Sequence, residues 1–257
     1  MSNVINKPVP YQMFMQDDLG GHIKYKNWRD LKLAVFDLEA TEKNPLDESC
    51  KIVQFYCMIC HHNEVIDELG LLVNPGIPIN PESSQYHKIF DEDVEDESRL
   101  DQESPIDEDE TVAETIKFFL EQADVLVAYN GLSYDQPLLQ RELFRAGAGE
   151  FCMPMIDPLI FYRNKRQAFS KTTLFDAARL FSVQGRGKVT HGQESLHDAQ
   201  TDVAMLKEVV WAMSSSDIPW SLDETLEQQE ELILSQDKYL CKKYDDRIHT
   251  YDIYGLR

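Results

Sequence analysis

The sequence predicts an α/β domain in which a mixed sheet is flanked by helices. Three observations lead there: the early apolar segments are short and rich in β-branched and aromatic residues, the later ones carry helical spacing, and short apolar runs separate those helices. Residues 31–36 (Leu-Lys-Leu-Ala-Val-Phe) form a brief apolar run bounded by polar residues, the pattern of a buried strand. Residues 50–60 and 64–73 repeat this character, so three consecutive strands are expected to run as a meander. Between 74 and 81, Pro75, Pro78 and Pro81 fix φ and remove donors, which predicts an extended loop leading to Glu82 and His87.

Helical spacing begins at 111–122, where Val112, Ile116, Phe119 and Leu120 are apolar, and a short strand is expected at 124–128. Ser133 followed by Gln136 reads as a capping box that opens a helix through Leu138, Leu139, Leu143 and Phe144, with Asp135 in its first turn. Residues 153–156 suit a strand and 172–181 a helix. A last core helix is expected at 198–213, with Val203, Leu206, Val210 and Met213 on one face. Ser221 and Glu224 mark the start of a weakly amphipathic acidic helix at 222–234. The organisation read from this pattern is a leader at 1–30, a main domain at 31–213 and an extension at 214–257.

At 257 residues and 42% hydrophobic content the chain is large enough to build its own core. No basic flank precedes an apolar run near residue 1, and no stretch approaches the length of a membrane span, so no membrane partner and a cytoplasmic location are expected. Five irregularly spaced cysteines predict reduced thiols. Cys57 and Cys60 lie three apart on an expected strand and so face opposite sides, which argues against zinc.

The formal charge of -21 excludes an undirected coat for nucleic acid, because phosphate contacts need Lys and Arg. That charge is uneven. Residues 91–110 hold twelve Asp and Glu against Arg99 alone, the pattern of a solvated acidic loop inserted in the domain. Over 163–188 the balance inverts, with seven Lys and Arg against Asp176, and this stretch could follow a phosphate backbone.

Asp37 and Glu39 end the first strand. Residues two apart on a strand share a face, so both carboxylates can point at one spot, as a hard cation requires. Asp135 in a first helical turn and Asp202 on the last core helix are the further oxygen donors. His197 precedes Asp202 by five residues, about 140° around a continuous helix, so it is expected on the entering loop or first turn.

These residues sit in three segments: Phe36-Asp37-Leu38-Glu39-Ala40-Thr41, the run Ala128-Tyr129-Asn130-Gly131-Leu132-Ser133-Tyr134-Asp135, and His197-Asp198-Ala199-Gln200-Thr201-Asp202. Together they resemble the three exonuclease motifs of the DEDD superfamily, and the His places the likeness in the DEDDh branch. Asn74 to Glu82 followed by His87 resembles a stretch of the proofreading subunit of bacterial replicative polymerase and its relatives. Leu38 and Ala40 stand where many members of the family have Thr.

The resemblance covers roughly residues 31–213 and implies a ribonuclease-H-like fold. It implies 3′-to-5′ removal of nucleoside monophosphates, with two Mg²⁺ or Mn²⁺ ions held by Asp37, Glu39, Asp135 and Asp202. His197, with an ordinary pKa of about 6.5, would be the general base. Glu82 and His87 would contact the terminal nucleotide, with Leu38 and Thr41 lining the site. The implied partner is a single-stranded nucleic-acid 3′ end, DNA before RNA, with a DNA polymerase as the candidate protein partner. RNA trimming and a non-catalytic scaffold role are the alternatives.

Overall fold

The apolar run at 31–36 becomes the start of β1 (Leu33–Ala40), the central strand of a five-stranded sheet. The computed structural model describes residues 21, 23–168, 172–183, 198–213 and 215–243, with the side chains of the last helix described as far as Gln236. β2 (Ile52–His61) pairs antiparallel with β1, and β3 (Glu64–Leu72) antiparallel with β2, which is the expected meander. Two helices and a turn-rich segment follow: α1 (Pro81–His87), α2 (Asp91–Val94) and, after them, α3 (Val112–Leu120). The chain then alternates through β4 (Val125–Val127), α4 (Asp135–Arg145), β5 (Met155–Ile156), α5 (Pro158–Arg166), α6 (Leu174–Leu180), α7 (Ala199–Ala212) and α8 (Leu222–Lys243). The strand order is β3-β2-β1-β4-β5, with β4 parallel to β1 and β5 parallel to β4.

Alternation along β1 divides the core in two. Ala34, Phe36, Leu38 and Ala40 face a cluster with Val112 and Ile116 of α3 and Leu138, Leu139 and Leu143 of α4. Leu33 and Val35 face the other way, into a cluster with Val203, Leu206 and Val210 of α7 and Leu222 and Leu226 of α8. The helical faces read from the spacing at 111–122 and 198–213 are therefore the buried ones. Cys57 and Cys60 fall into opposite clusters, as residues three apart on a strand must.

Several elements differ from expectation. Pro81 does not extend the preceding loop but occupies the first turn of α1, where its missing N–H is unneeded, and Asn80 caps that helix by accepting from the Glu82 N–H at 3.0 Å. The acidic stretch 91–110 is not a detached loop. It contains α2, buries Val94, and is tied to the rest by the Asp91 carboxylate, which accepts from the Ile79 N–H at 2.8 Å. Asn74 adds a side-chain bond to the Glu95 carbonyl at 3.0 Å. Charge pattern alone could not show this, because buried Val94 and partly buried Leu100 anchor a segment whose other side chains are mostly polar.

The capping box expected from Ser133 and Gln136 does not form: the N-cap is Tyr134, and the Gln136 amide reaches the Met153 carbonyl instead. The flanking segments also join the core. Trp28 is 1% exposed, its indole donating to the Pro219 carbonyl at 2.7 Å, and α8 runs nine residues past the predicted end at 234. In the basic stretch, Lys165 pairs with Asp217, while Lys171, Arg186 and Lys188 lie outside the described residues. No helix among the described residues is long and apolar enough to cross a membrane.

Candidate active site

Asp37 and Glu39 continue the face of β1 that carries Leu33 and Val35, so they project toward α7. That helix is docked at its start by Gln54 of β2, whose side-chain amide oxygen accepts from the Ala199 N–H at 3.4 Å, and Gln54 lies opposite Glu39 in the register. Asp198 occupies the N-cap position and Asp202 the first turn. The strand and the helix thereby bring Asp37, Glu39, Asp202 and Asp198 into one electrostatic neighbourhood.

Asp135 arrives from the far side of β1. It opens α4 immediately after the turn that follows β4, is 3% exposed, and accepts from the Leu38 N–H at 3.2 Å. Leu38 thus contributes its backbone to the site, while its side chain points into the opposite core cluster. The site lies at the carboxyl end of β1, which runs parallel to β4.

The electrostatics follow from burial and from like charge. Glu39 is pushed up to about 8, first by desolvation and then by Asp202, Asp135 and Asp198. Asp37 is raised well above the ordinary carboxylate range by burial and by Asp135, Glu39 and Asp202. Burial together with Asp157 pushes Asp135 up to about 8, against the pull of the Leu38 N–H. As the side chains stand, no group of three or more His, Cys, Asp or Glu among the described residues is closed tightly enough to hold a metal ion. The fit to a divalent cation rests on the donor set: hard oxygen donors, drawn together from three segments, whose mutual repulsion a cation would relieve.

The expected substrate contacts are placed unequally. Glu82 is exposed on α1, and its carboxylate pairs with Lys43 at 2.9 Å. His87 is buried: its Nε2 lies 3.2 Å from the Ala40 carbonyl and its Nδ1 accepts from the Ile89 N–H at 3.1 Å, so the ring is neutral, with burial lowering its pKa. The Thr41 hydroxyl donates to the Ser49 carbonyl at 2.6 Å and accepts from the Lys51 N–H at 2.9 Å, which ties it to the backbone just after β1. His197 lies outside the described residues, two positions before the start of α7.

Two nearby residues escaped the sequence reading. Tyr86, beside His87, is a 55% exposed residue whose phenol is raised by burial and by the charges of Glu39, Asp202 and Asp37. No periodicity marks it. Asp157 is fully buried and held near 6 by burial against three N–H donors. The Asp157-Pro158 pair is an N-cap followed by a helix-opening proline, a signal that was legible and unused.

A family model described as an exonuclease, of the RNase T type, matches residues 34–209. The chain belongs to this exonuclease family. It is a DEDD-type 3′-to-5′ exonuclease domain, and the expected ribonuclease-H-like fold is the one found. The exonuclease domain is similar to PolC-type DNA polymerase III of Mycoplasma genitalium, 26% identical over 180 residues that make up 70% of this chain and 11% of that protein. For the PolC-type polymerase of Ureaplasma parvum the figures are 25% over 197 residues, 76% of this chain and 12% of that protein. The chain thus spans about a tenth of the length of these curated relatives. Among solved structures, exonuclease X in complex with 5′ overhanging duplex DNA matches with a TM-score of 0.50 and 17% identity, over 77% of this chain and 99% of that one. A 3′-exonuclease that recognises the histone mRNA stem-loop matches with a TM-score of 0.51 and 15% identity, over 72% and 63%. Both likenesses concern the fold.

Proposed function

We propose that this exonuclease domain releases nucleoside monophosphates from the 3′ ends of single-stranded or frayed DNA, using two divalent ions, Mg²⁺ or Mn²⁺, held by Asp37, Glu39, Asp135 and Asp202. One observation carries the reading: carboxylates from β1, α4 and α7 are crowded together at the end of the central strand, and the charges that raise Glu39 are all other carboxylates. Such crowding destabilises the protein on its own and becomes favourable once cations share the space.

When bound, the ions would supply Lewis-acid stabilisation of the scissile phosphate and its attacking and leaving oxygens. Asp37 and Glu39 offer oxygen donors from one rigid strand face, and the Leu38 N–H orients the Asp135 carboxylate. His197 accepts the proton of the attacking water, a role that suits an imidazole near neutral pH. At the mouth, Glu82 with Lys43 meets the terminal nucleotide, and Tyr86 covers it with an aromatic face. His87, Leu38 and Thr41 shape this rim through the backbone they hold in place.

DNA is favoured because the curated relatives are DNA polymerases, and a polymerase is the protein partner that follows from them. An RNA 3′ end is the second reading, supported by the shared fold with a 3′-exonuclease that recognises a stem-loop RNA. The chemistry is assigned to 31–213. The test uses matched 3′-labelled and 5′-labelled single-stranded DNA and RNA, with Mg²⁺, Mn²⁺ or EDTA. Stepwise shortening from the 3′ end that EDTA abolishes is the expected result. Metal-independent cleavage, or no cleavage of either polymer, would overturn the proposal.

A further inference from the structure

The segment matched by the family ends at residue 209, yet α8, beyond it, reaches into the support of the site. Gln229 of α8 is 2% exposed, and both ends of its amide are engaged. Its oxygen accepts from the Asp157 N–H at 2.7 Å, and its nitrogen donates to the Met155 carbonyl at 2.9 Å. These are backbone groups flanking Ile156 at the end of the edge strand β5, so the side chain pairs where a sixth strand would otherwise lie.

Asp157, fixed in this way, gathers the turn that delivers Asp135. One carboxylate oxygen accepts from the N–H groups of Asn130 and Leu159, each at 3.0 Å, and the other lies 3.4 Å from the Leu132 N–H. The turn itself is tightly specified. Asn130 has φ of +66°, and a Cβ on Gly131 would lie 2.5 Å from the Ala128 Cβ and 3.0 Å from the Met155 sulfur. The turn then passes into α4, whose first residue is Asp135, tied to β1 through the Leu38 N–H.

We infer that Gln229 is a positioning residue for Asp135, acting through Asp157 and the 130–132 turn, so that the C-terminal helix is a working part of the metal site. The inference rests on the reading of Asp135 as a metal ligand. It gives α8 a role that packing alone would not require, because a buried amide with two backbone partners fixes a carboxylate it never touches. Outer-shell partners of this kind change metal affinity by about 10–100-fold when lost.

The experiment titrates Mn²⁺ alone into the full chain by calorimetry and compares Gln229→Met with Gln236→Met. Gln236 is a buried amide on the same helix that donates to the Ile160 carbonyl at 2.7 Å, away from the turn. Gln229→Met is expected to weaken Mn²⁺ binding about tenfold and to lower kcat more than it raises KM. Gln236→Met is expected to lower the thermal midpoint with unchanged Mn²⁺ affinity. If Gln229→Met does not fold, Gly131→Ala displaces the same turn without touching α8 and is expected to weaken Mn²⁺ binding likewise. A folded Gln229→Met, or in its place a folded Gly131→Ala, that binds Mn²⁺ as the parent does would overturn the positioning role while leaving the metal reading intact. A parent that takes up no Mn²⁺ would overturn both.

Discussion

Replacing Glu39 by Gln should make the metal-free protein more stable at neutral and alkaline pH while removing its activity. In the folded state Glu39 holds its proton up to about pH 8, against about 4.5 for an ordinary carboxyl. Between those values the folded protein binds a proton that the unfolded chain has released, so stability falls as pH rises, by at most about 1.4 kcal/mol per unit. The loss would reach roughly 2 kcal/mol at pH 6 and approach roughly 5 kcal/mol at pH 8 if Glu39 acted alone. Asp37 and Asp135 compete for protons in the same cluster, so one substitution should recover a smaller part, about 1–3 kcal/mol at pH 8. Urea unfolding in EDTA at half-unit steps from pH 4.5 to 9 measures the difference. Near pH 4.5 the variant and parent should agree, and the gap should open steadily to pH 8. Saturating Mn²⁺ should then stabilise the parent far more than the variant. A gap independent of pH, or a variant less stable at pH 8, would refute the picture of mutually repelling buried carboxylates.

His197→Ala should keep Mn²⁺ binding within a few-fold by calorimetry while turnover falls by about 10²–10⁴; equal loss of both would remove His197 from the base role. Lys43→Met should leave the thermal midpoint unchanged, since both partners of the Lys43–Glu82 pair are exposed, but raise KM for a short oligonucleotide in steady-state assays. Asp37→Asn should abolish cleavage with circular dichroism unchanged, and retained cleavage would exclude Asp37 as a ligand.

The parts of this molecule that were legible in its sequence are those governed by local period. The buried faces of α3 and α7 follow from apolar spacing, and the shared direction of Asp37 and Glu39 follows from strand alternation. The run of acidic residues misled because net charge reports solvation on average, while Val94 and the Asp91 bond to Ile79 decide where the segment lies. The cap of α4 was misplaced because the N–H groups the box would satisfy are taken within the turn, Ser133 donating to the Asn130 carbonyl at 3.1 Å and Gln136 to the Gly131 carbonyl at 2.9 Å, while the Gln136 side-chain nitrogen reaches Met153, a contact between residues 17 apart that no local rule weighs. Gln229 was beyond reach for the same reason, as its partner Asp157 is 72 residues away. The carboxylates were recognisable because catalytic types recur at fixed places; the residues that hold them in position are ordinary amides and turns.

Titration of Mn²⁺ into the full chain at pH 7, repeated in buffers of different ionisation enthalpy, tests the central claim most directly. Carboxyls that hold protons up to about pH 8 must give them up to a metal, so uptake should be accompanied by proton release, and Asp37→Asn should reduce both. Binding without proton release, or no heat beyond dilution, would contradict a site built by gathering these carboxylates around divalent cations.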